Sequence, residues 1–312
     1  MAKYHLTHSQ QVENWLGKDC LQHILDGSKG IHIPVRIAQT PGRLFAKNGD
    51  IYGTIQGGSF SSLSDLINKS TTGNRQDMLF SKAGSLAVNG SWASLWNVGS
   101  YPSAGGAATN IPTGSAPTNA TNGSFKQSNP SGSNTLHLTT AFASASAAPN
   151  TLLLYDRLWH GGTVFHSGTA AQTVNGSPTR YTGSASAGNL AFLEVTAALG
   201  ATAQNITMTY VDNSGNSAEA AAALAIVASS AITRIPHVPY FIPLNSGDTG
   251  IQRITQLQFS AANTGRSNIV ICHPLAFIPC PTANIMQVMD GINSAFNLVE
   301  IQNNACMSLL EI

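Results

Sequence analysis

The residues able to do chemistry are few and lie in three places. His160 and His166, with five residues between them, follow Asp156 in a glycine-containing stretch. Two imidazoles and a carboxylate are ligand types for zinc or nickel, but a complete site takes a further ligand from elsewhere. The plainer reading, adopted here, is a pair of ordinary loop histidines. Cys272-His273 with Cys280 places two thiols and an imidazole in one segment. Pro274, Pro279 and Pro281 mark that segment as a strand with kinked ends rather than a zinc site. A nucleophilic cysteine needs a base beside it, and neighbours on a strand face opposite sides. Paired carboxylates for glycoside hydrolysis would come from Asp156, Glu194, Asp212, Glu219, Asp248 and Asp290. None of these stands among the aromatic residues that hold a sugar. Trp92 and Trp96, at i and i+4, read as packing anchors. No GxSxG, HExxH, P-loop, GxGxxG or EF-hand pattern occurs. The expectation is a chain that is not an enzyme, with no catalytic residues, no metal and no organic cofactor.

Whatever these residues do, a β framework must position them. From residue 135 onward the pattern is β. Thr151–Tyr155, Asn189–Val195, Ile206–Val211, the Ala-rich run Glu219–Ser229, Arg234–Leu244, Thr255–Phe259, Asn268–Ile278 and Ala305–Ile312 read as strands. In Ile206–Val211 the residues Ile206, Met208 and Tyr210 share one face, and Thr207 and Thr209 share the other. Polar turns at Asp212–Asn216, Asn245–Asp248 and Ala262–Gly265 separate them. About eight short strands with such turns imply a mainly β chain, an antiparallel β-sandwich of jelly-roll or Ig-like type. Residues 283–299 read as a helix on Ile285, Val288, Met289, Ile292 and Phe296. Toward the N-terminus, Val12, Trp15, Leu16, Cys20, Ile24 and Leu25 make one apolar stripe over a helix at 8–26. Thr7 with Gln10 suits its start and Gly27 its end. A strand follows at 31–37, and residues 50–67 mix a short strand with a short helix.

Charge marks the boundaries. Residues 1–82 hold nine Lys/Arg and six Asp/Glu, whereas Lys126 is the only charged residue between Ala83 and Tyr155. The expected organisation is an N-terminal helix-containing arm (1–82), a low-complexity Gly/Ser/Asn/Thr-rich extended segment (83–134) and the sandwich (135–312). Residues 98–134 have too few large apolar side chains to fold by themselves. They are either a flexible linker or an arm ordered against neighbouring subunits, cut by protease when free and protected in the assembly.

The whole chain of 312 residues carries a net charge of +1, and only 9% of it is charged. Ordinary soluble domains approach ~25%. No basic excess exists to neutralise phosphates, so nucleic acid is not an expected partner. A near-neutral surface gives little repulsion between copies and suits an assembly. No long apolar run points to a membrane, and the first residues lack the pattern of a secretory signal. Cys20, Cys272, Cys280 and Cys306 fit neither a disulfide framework nor a CxxC zinc site, so reduced, mostly buried thiols and synthesis in the cytoplasm are expected.

One string stands out: Leu152-Leu-Leu-Tyr-Asp-Arg-Leu-Trp-His-Gly-Gly162. After it come Pro178-Thr-Arg-Tyr-Thr182, Ala191-Phe-Leu-Glu-Val195, Ile206-Thr-Met-Thr-Tyr210, Phe241-Ile-Pro-Leu-Asn-Ser-Gly-Asp-Thr-Gly250 and Ala305-Cys-Met-Ser-Leu-Leu310. This order, over about residues 135–312, resembles the virion structural proteins of tailed bacteriophages that decorate heads or build appendages. The resemblance implies a β-sandwich in a repeating shell or tail, commonly a trimer or other homo-oligomer. It implies a virion location, the major capsid protein and copies of itself as partners, and a capsid decoration or cement role. The alternatives are a tail-fibre or receptor-binding protein, which would more often show repeats, and a carbohydrate-active enzyme on a jelly roll.

Overall fold

Alternating apolar residues make strands here, and nearly every such run pairs. The computed structural model describes residues 44–47, 50–53, 76–83, 92–132, 134–146, 150–290 and 298–312. The helix expected at 8–26 and the strand at 31–37 lie outside them. Within them the chain is β apart from one 3-10 turn at Gly183–Ser186. It divides into two compact units.

The larger unit contains Met78–Asn129, Ala141–Met289 and Gln302–Ile312. Its two main sheets use β1 (Ala93–Ser94), β2 (Asn150–Phe165), β3 (Gln172–Thr173), β4 (Leu190–Ala197), β5 (Gln204–Asp212), β6 (Glu219–Ala220), β7 (Leu224–Ile226), β8 (Ile251–Phe259), β9 (Arg266–Cys280) and β10 (Met307–Glu311). One sheet runs β4-β9-β2-β10-β1. The other runs β6-β5-β8-β3, with β7 also on β5. All these pairings are antiparallel.

The pairs are nested along the chain. β2 pairs with β9, β3 with β8, and β5 with β6 and β7. Between them β4 exchanges backbone bonds with 233–242, through Arg234 O to Val195 N, Val195 O to Thr233 N and Ala191 O to Ile242 N. Successive pairs alternate between the two sheets. This is one long hairpin, tipped by the Asp212–Asn216 turn and rolled upon itself, which is the jelly-roll topology.

Binary patterning places the core. On β5, Ile206, Met208 and Tyr210 are fully buried, as are Ile254 and Leu257 on β8, facing Leu193 and Val195 of β4 and Ile269 and Ile271 of β9. The first sheet is buried on its other face too. There Leu153, Tyr155, Phe192, Val270, Cys272 and Leu310 form a second cluster beneath Ile235, Trp92, Tyr240 and Phe241. Leu257→Ala, between the sheets, and Phe192→Ala, on the opposite face, should each cost about 2–5 kcal/mol. Urea unfolding measures this, and a loss below ~0.5 kcal/mol would place that face outside the core.

The low-complexity segment is bonded to its own sandwich. Ser115 and His160 exchange both backbone bonds, at 2.9 Å each. Gly162 N–H donates to Thr109 O and Ile111 N–H to Gly162 O. Further on, Phe125 N–H donates to Met307 O. Glycine is needed where the backbone touches indole. A Cβ at Gly105 would lie 2.1 Å from Trp96, and one at Gly114, where φ is +56°, would lie 2.0 Å from Trp159. The segment thus docks by hydrogen bonds and backbone-to-ring contact. This compact unit starts upstream of residue 135, at Met78.

The described residues of the helix expected over 283–299, which are 283–290 and 298–299, are not helical. Gln287–Asp290 is a strand paired with Thr140–Ala143, and Val299–Ile301 is a strand paired with Leu136–Leu138. Cross-strand bonding there overrides the helical spacing of Ile285, Val288 and Met289. The Ala-rich run is extended, split into β6 and β7. In the smaller unit, Leu44–Lys47 and Asp50–Gly53 form a hairpin, and the Leu136–Leu138 ladder with Val299–Ile301 is a second element.

Candidate functional site

The charged residues of β2 sit inside an apolar run, and that is where the polar chemistry gathers. Asp156 and Arg157 are consecutive and point to opposite sides of the strand. On one side Arg157 Nη2 lies 2.9 Å from Glu194 Oε2 of β4, and both side chains are fully buried. Asn268 of β9 donates to the same oxygen at 3.1 Å. Arg157 Nε donates to His160 Nδ1 at 2.9 Å. The guanidinium lies 4.5 Å from the ring centre of Trp96, which meets His160 edge-on. On the other side Arg180, from the β3–β4 loop, grips Asp156 with two bonds, Nε to Oδ2 at 2.9 Å and Nη2 to Oδ1 at 2.7 Å. Cys306 N–H also donates to Asp156 Oδ1.

The electrostatics follow from this enclosure. Burial alone would raise the Glu194 carboxyl, but the Arg157 charge and bonds from Arg157, Ser94 and Asn268 bring it below its ordinary range. Burial and then the Arg157 charge push His160 down to about 2, so its Nδ1 stays an acceptor. Burial lowers Lys82 to about 8, against a raising pull from Glu194. Its ammonium donates to Leu95 O at 2.9 Å.

The residues singled out by sequence do not converge. The Nδ1 lone pair of His160 is taken by Arg157. His166, fully buried, engages Gln204 Oε1 through Nδ1 at 2.7 Å and Ser267 Oγ through Nε2 at 2.9 Å. Cys272 and Cys306 are buried and their thiols are pushed up by desolvation, Cys306 to about 12. His273 instead stacks on Tyr181 at 3.9 Å and bonds Asn189. Asp212 accepts from Asn216 in the turn between β5 and β6. Glu219 accepts from Asn245 and Asp248 from Tyr210. Trp92 stacks on Tyr240 at 4.5 Å. Among the described residues, no group of three His, Cys, Asp or Glu is placed to hold a metal ion.

Arg157, Arg180 and Asn268 were not singled out by sequence. The signal for the first was available: an Asp-Arg pair inside Leu152–Trp159 can only be buried, and buried charges are paired. No protein-family model matches the chain, and no curated protein or solved structure matches it either.

Proposed function

We propose that the chain is a structural subunit of a tailed-bacteriophage particle, a decoration or cement protein that seats on the major capsid lattice as a homo-oligomer. The carrying observation is an inversion of the usual distribution of charge. Asp156, Arg157, Arg180 and Glu194 are buried in mutual pairs. Large apolar side chains face outward instead: Phe142 is 63% exposed, Phe277 56% and Met286 66%. A monomer in water spends its charges on solubility; a subunit of a shell presents apolar surface and backbone to its neighbours. The jelly roll suits this role, being a rigid block used in capsids as well as in lectins and cupins. Its buried carboxylates are engaged as structural anchors, which favours assembly over hydrolysis. Trimeric packing and a virion location after cytoplasmic synthesis belong to the same reading.

Imaging of intact particles tests it. Symmetric density for this jelly roll across the head lattice is expected, and the protein should stay attached in ~1 M salt, where screening shrinks to ~3 Å. Density confined to a fibre tip would move the protein to receptor binding. Absence from the particle, or release by salt, would overturn the decoration role.

A further inference from the structure

The segment 227–242 joins the edges of the two sheets. It bonds β4 through Arg234, Thr233 and Ile242, and His237 forms an antiparallel bridge with Ile226 at the end of β7. One β4 amide in the middle of this seam uses a side chain instead of a carbonyl. Leu193 N–H donates to Nε2 of His237 at 3.2 Å. The other ring nitrogen, Nδ1, lies 3.0 Å from Pro239 O, to which it donates. A carbonyl only accepts and an amide N–H only donates, so the pair of bonds selects the neutral ring with its proton on Nδ1. His237 is 0% exposed.

An imidazolium has two donors and no acceptor. Protonation therefore sets N–H against N–H at Leu193 and leaves a buried charge. The surroundings offer little to offset it. β4 contributes Glu194, whose carboxylate is held by Arg157. β7 and β1 carry no titratable side chain. Besides His237, the segment itself carries Arg234, a like charge, and Tyr240, stacked on Trp92. Burial brings the ring down to about 4, partly opposed by its bond to Pro239. The seam is also irregularly bonded, to β4, to Ser94 of β1 and to the 199–200 loop. It has isolated bridges rather than a ladder, and Ser229 and Thr233 hold φ of +55° and +72°, costly for a β-branched residue. By contrast, β2 and β9 pair along their whole length, from Asn150–Cys280 to Phe165–Arg266.

We propose that His237 is an acid-released latch: when it is protonated, 227–242 peels from β4 and β7 while the β2–β9 ladder stays closed. Release uncovers Phe192, now covered in part by Phe241, and adds it to the already exposed Val227, Ile232 and Val238. The sign follows from linkage. A ring held below its unfolded value of ~6.5 favours the closed seam above that pH, and the advantage is lost as pH falls toward 4.

Hydrogen exchange at pH 7, 5.5 and 4, corrected for intrinsic rates, tests the latch on the full chain. Peptides from 190–197 and 227–242 should lose at least about tenfold protection by pH 4 while 150–165 and 266–280 keep theirs. His237→Gln offers an amide oxygen to Leu193 and does not titrate, so it should retain protection at pH 4. Nitrogen NMR of the wild-type ring should show an unprotonated Nε2 at pH 7 and titration near 4. Titration near 6.5, opening of the seam and the ladder together, or acid opening unchanged in His237→Gln would each overturn the proposal. Should His237→Gln fail to fold, the ring titration and the wild-type exchange pattern decide it.

Discussion

Glu194→Ala should lower the stability of the protein by about 3–5 kcal/mol at pH 7, the range for breaking a buried pair by removing one partner. The reason is what remains rather than what is lost. Arg157 is fully buried, and burial alone would lower its pKa, yet the Glu194 charge brings it above its ordinary value. Without the carboxylate, a guanidinium stays charged in an apolar wall with only Tyr155, His160 and the face of Trp96 beside it. The paired replacement Arg157→Met with Glu194→Leu should recover most of that loss, since apolar residues of similar volume often replace a buried pair at little cost. Urea unfolding of the singles and the double gives the coupling directly. A loss under ~1 kcal/mol for Glu194→Ala would mean that water reaches the guanidinium. The pH dependence has a definite sign. The folded carboxyl is held below its unfolded value, so its contribution is present above that value and is lost as pH falls through the folded one.

The legible parts of this fold were those with one buried face. β5 and β8 alternate as Ile206/Met208/Tyr210 and Leu257/Phe259 do, and the Asp212–Asn216 turn supplies its own cap, so periodicity finds both. The sequence shows β2 only as far as Tyr155, because the strand is buried on both faces over most of its sixteen residues. Such a strand has no period, and its Asp-Arg pair and two glycines resemble a loop. The covering segment was harder still. Its composition shows that it cannot fold alone, but a backbone that packs on Trp96 and Trp159 leaves no periodic trace. The candidate ligands His160, His166 and Cys272 are visible as types. Arg157, which holds His160, lies three residues away on the same strand, whereas Gln204 and Ser267, which hold His166, are distant in sequence and meet it only through the fold. The jelly-roll order likewise depends on which strand crosses to the opposite sheet, and turn residues do not encode that choice.

Trp159→Ala should cost about 3–5 kcal/mol and should expose the stretch around residues 109–115 to proteases. Trp159 is 1% exposed and belongs to the core between the sheets, and on one side glycine backbone closes on its indole. A Cβ at Gly114 would lie 2.0 Å from its Cζ2, one at Gly176 2.2 Å from its Nε1 and one at Gly161 2.6 Å from its Cη2. Removing the ring leaves a space lined by glycines, and no neighbouring side chain from those positions can swing in to fill it. The Ser115–His160 and Thr109–Gly162 bonds then hold a segment that has lost the surface on which it packed. Its ordering entropy, at roughly 1–2 kcal/mol per residue, is no longer offset by contact with the ring. The free wild-type protein should resist limited proteolysis between 98 and 129, and Trp159→Ala should be cut there first while β2 and β9 survive. Gly114→Ala approaches the same contact from the other side. Its Cβ meets both the ring and the His160 carbonyl at a positive φ, so a loss of at least ~1–3 kcal/mol is expected from overpacking. Rapid cutting of the free wild-type chain within 98–129 would instead mean that the segment gains its order only from a neighbouring subunit, and both substitutions would then leave the cutting rate unchanged.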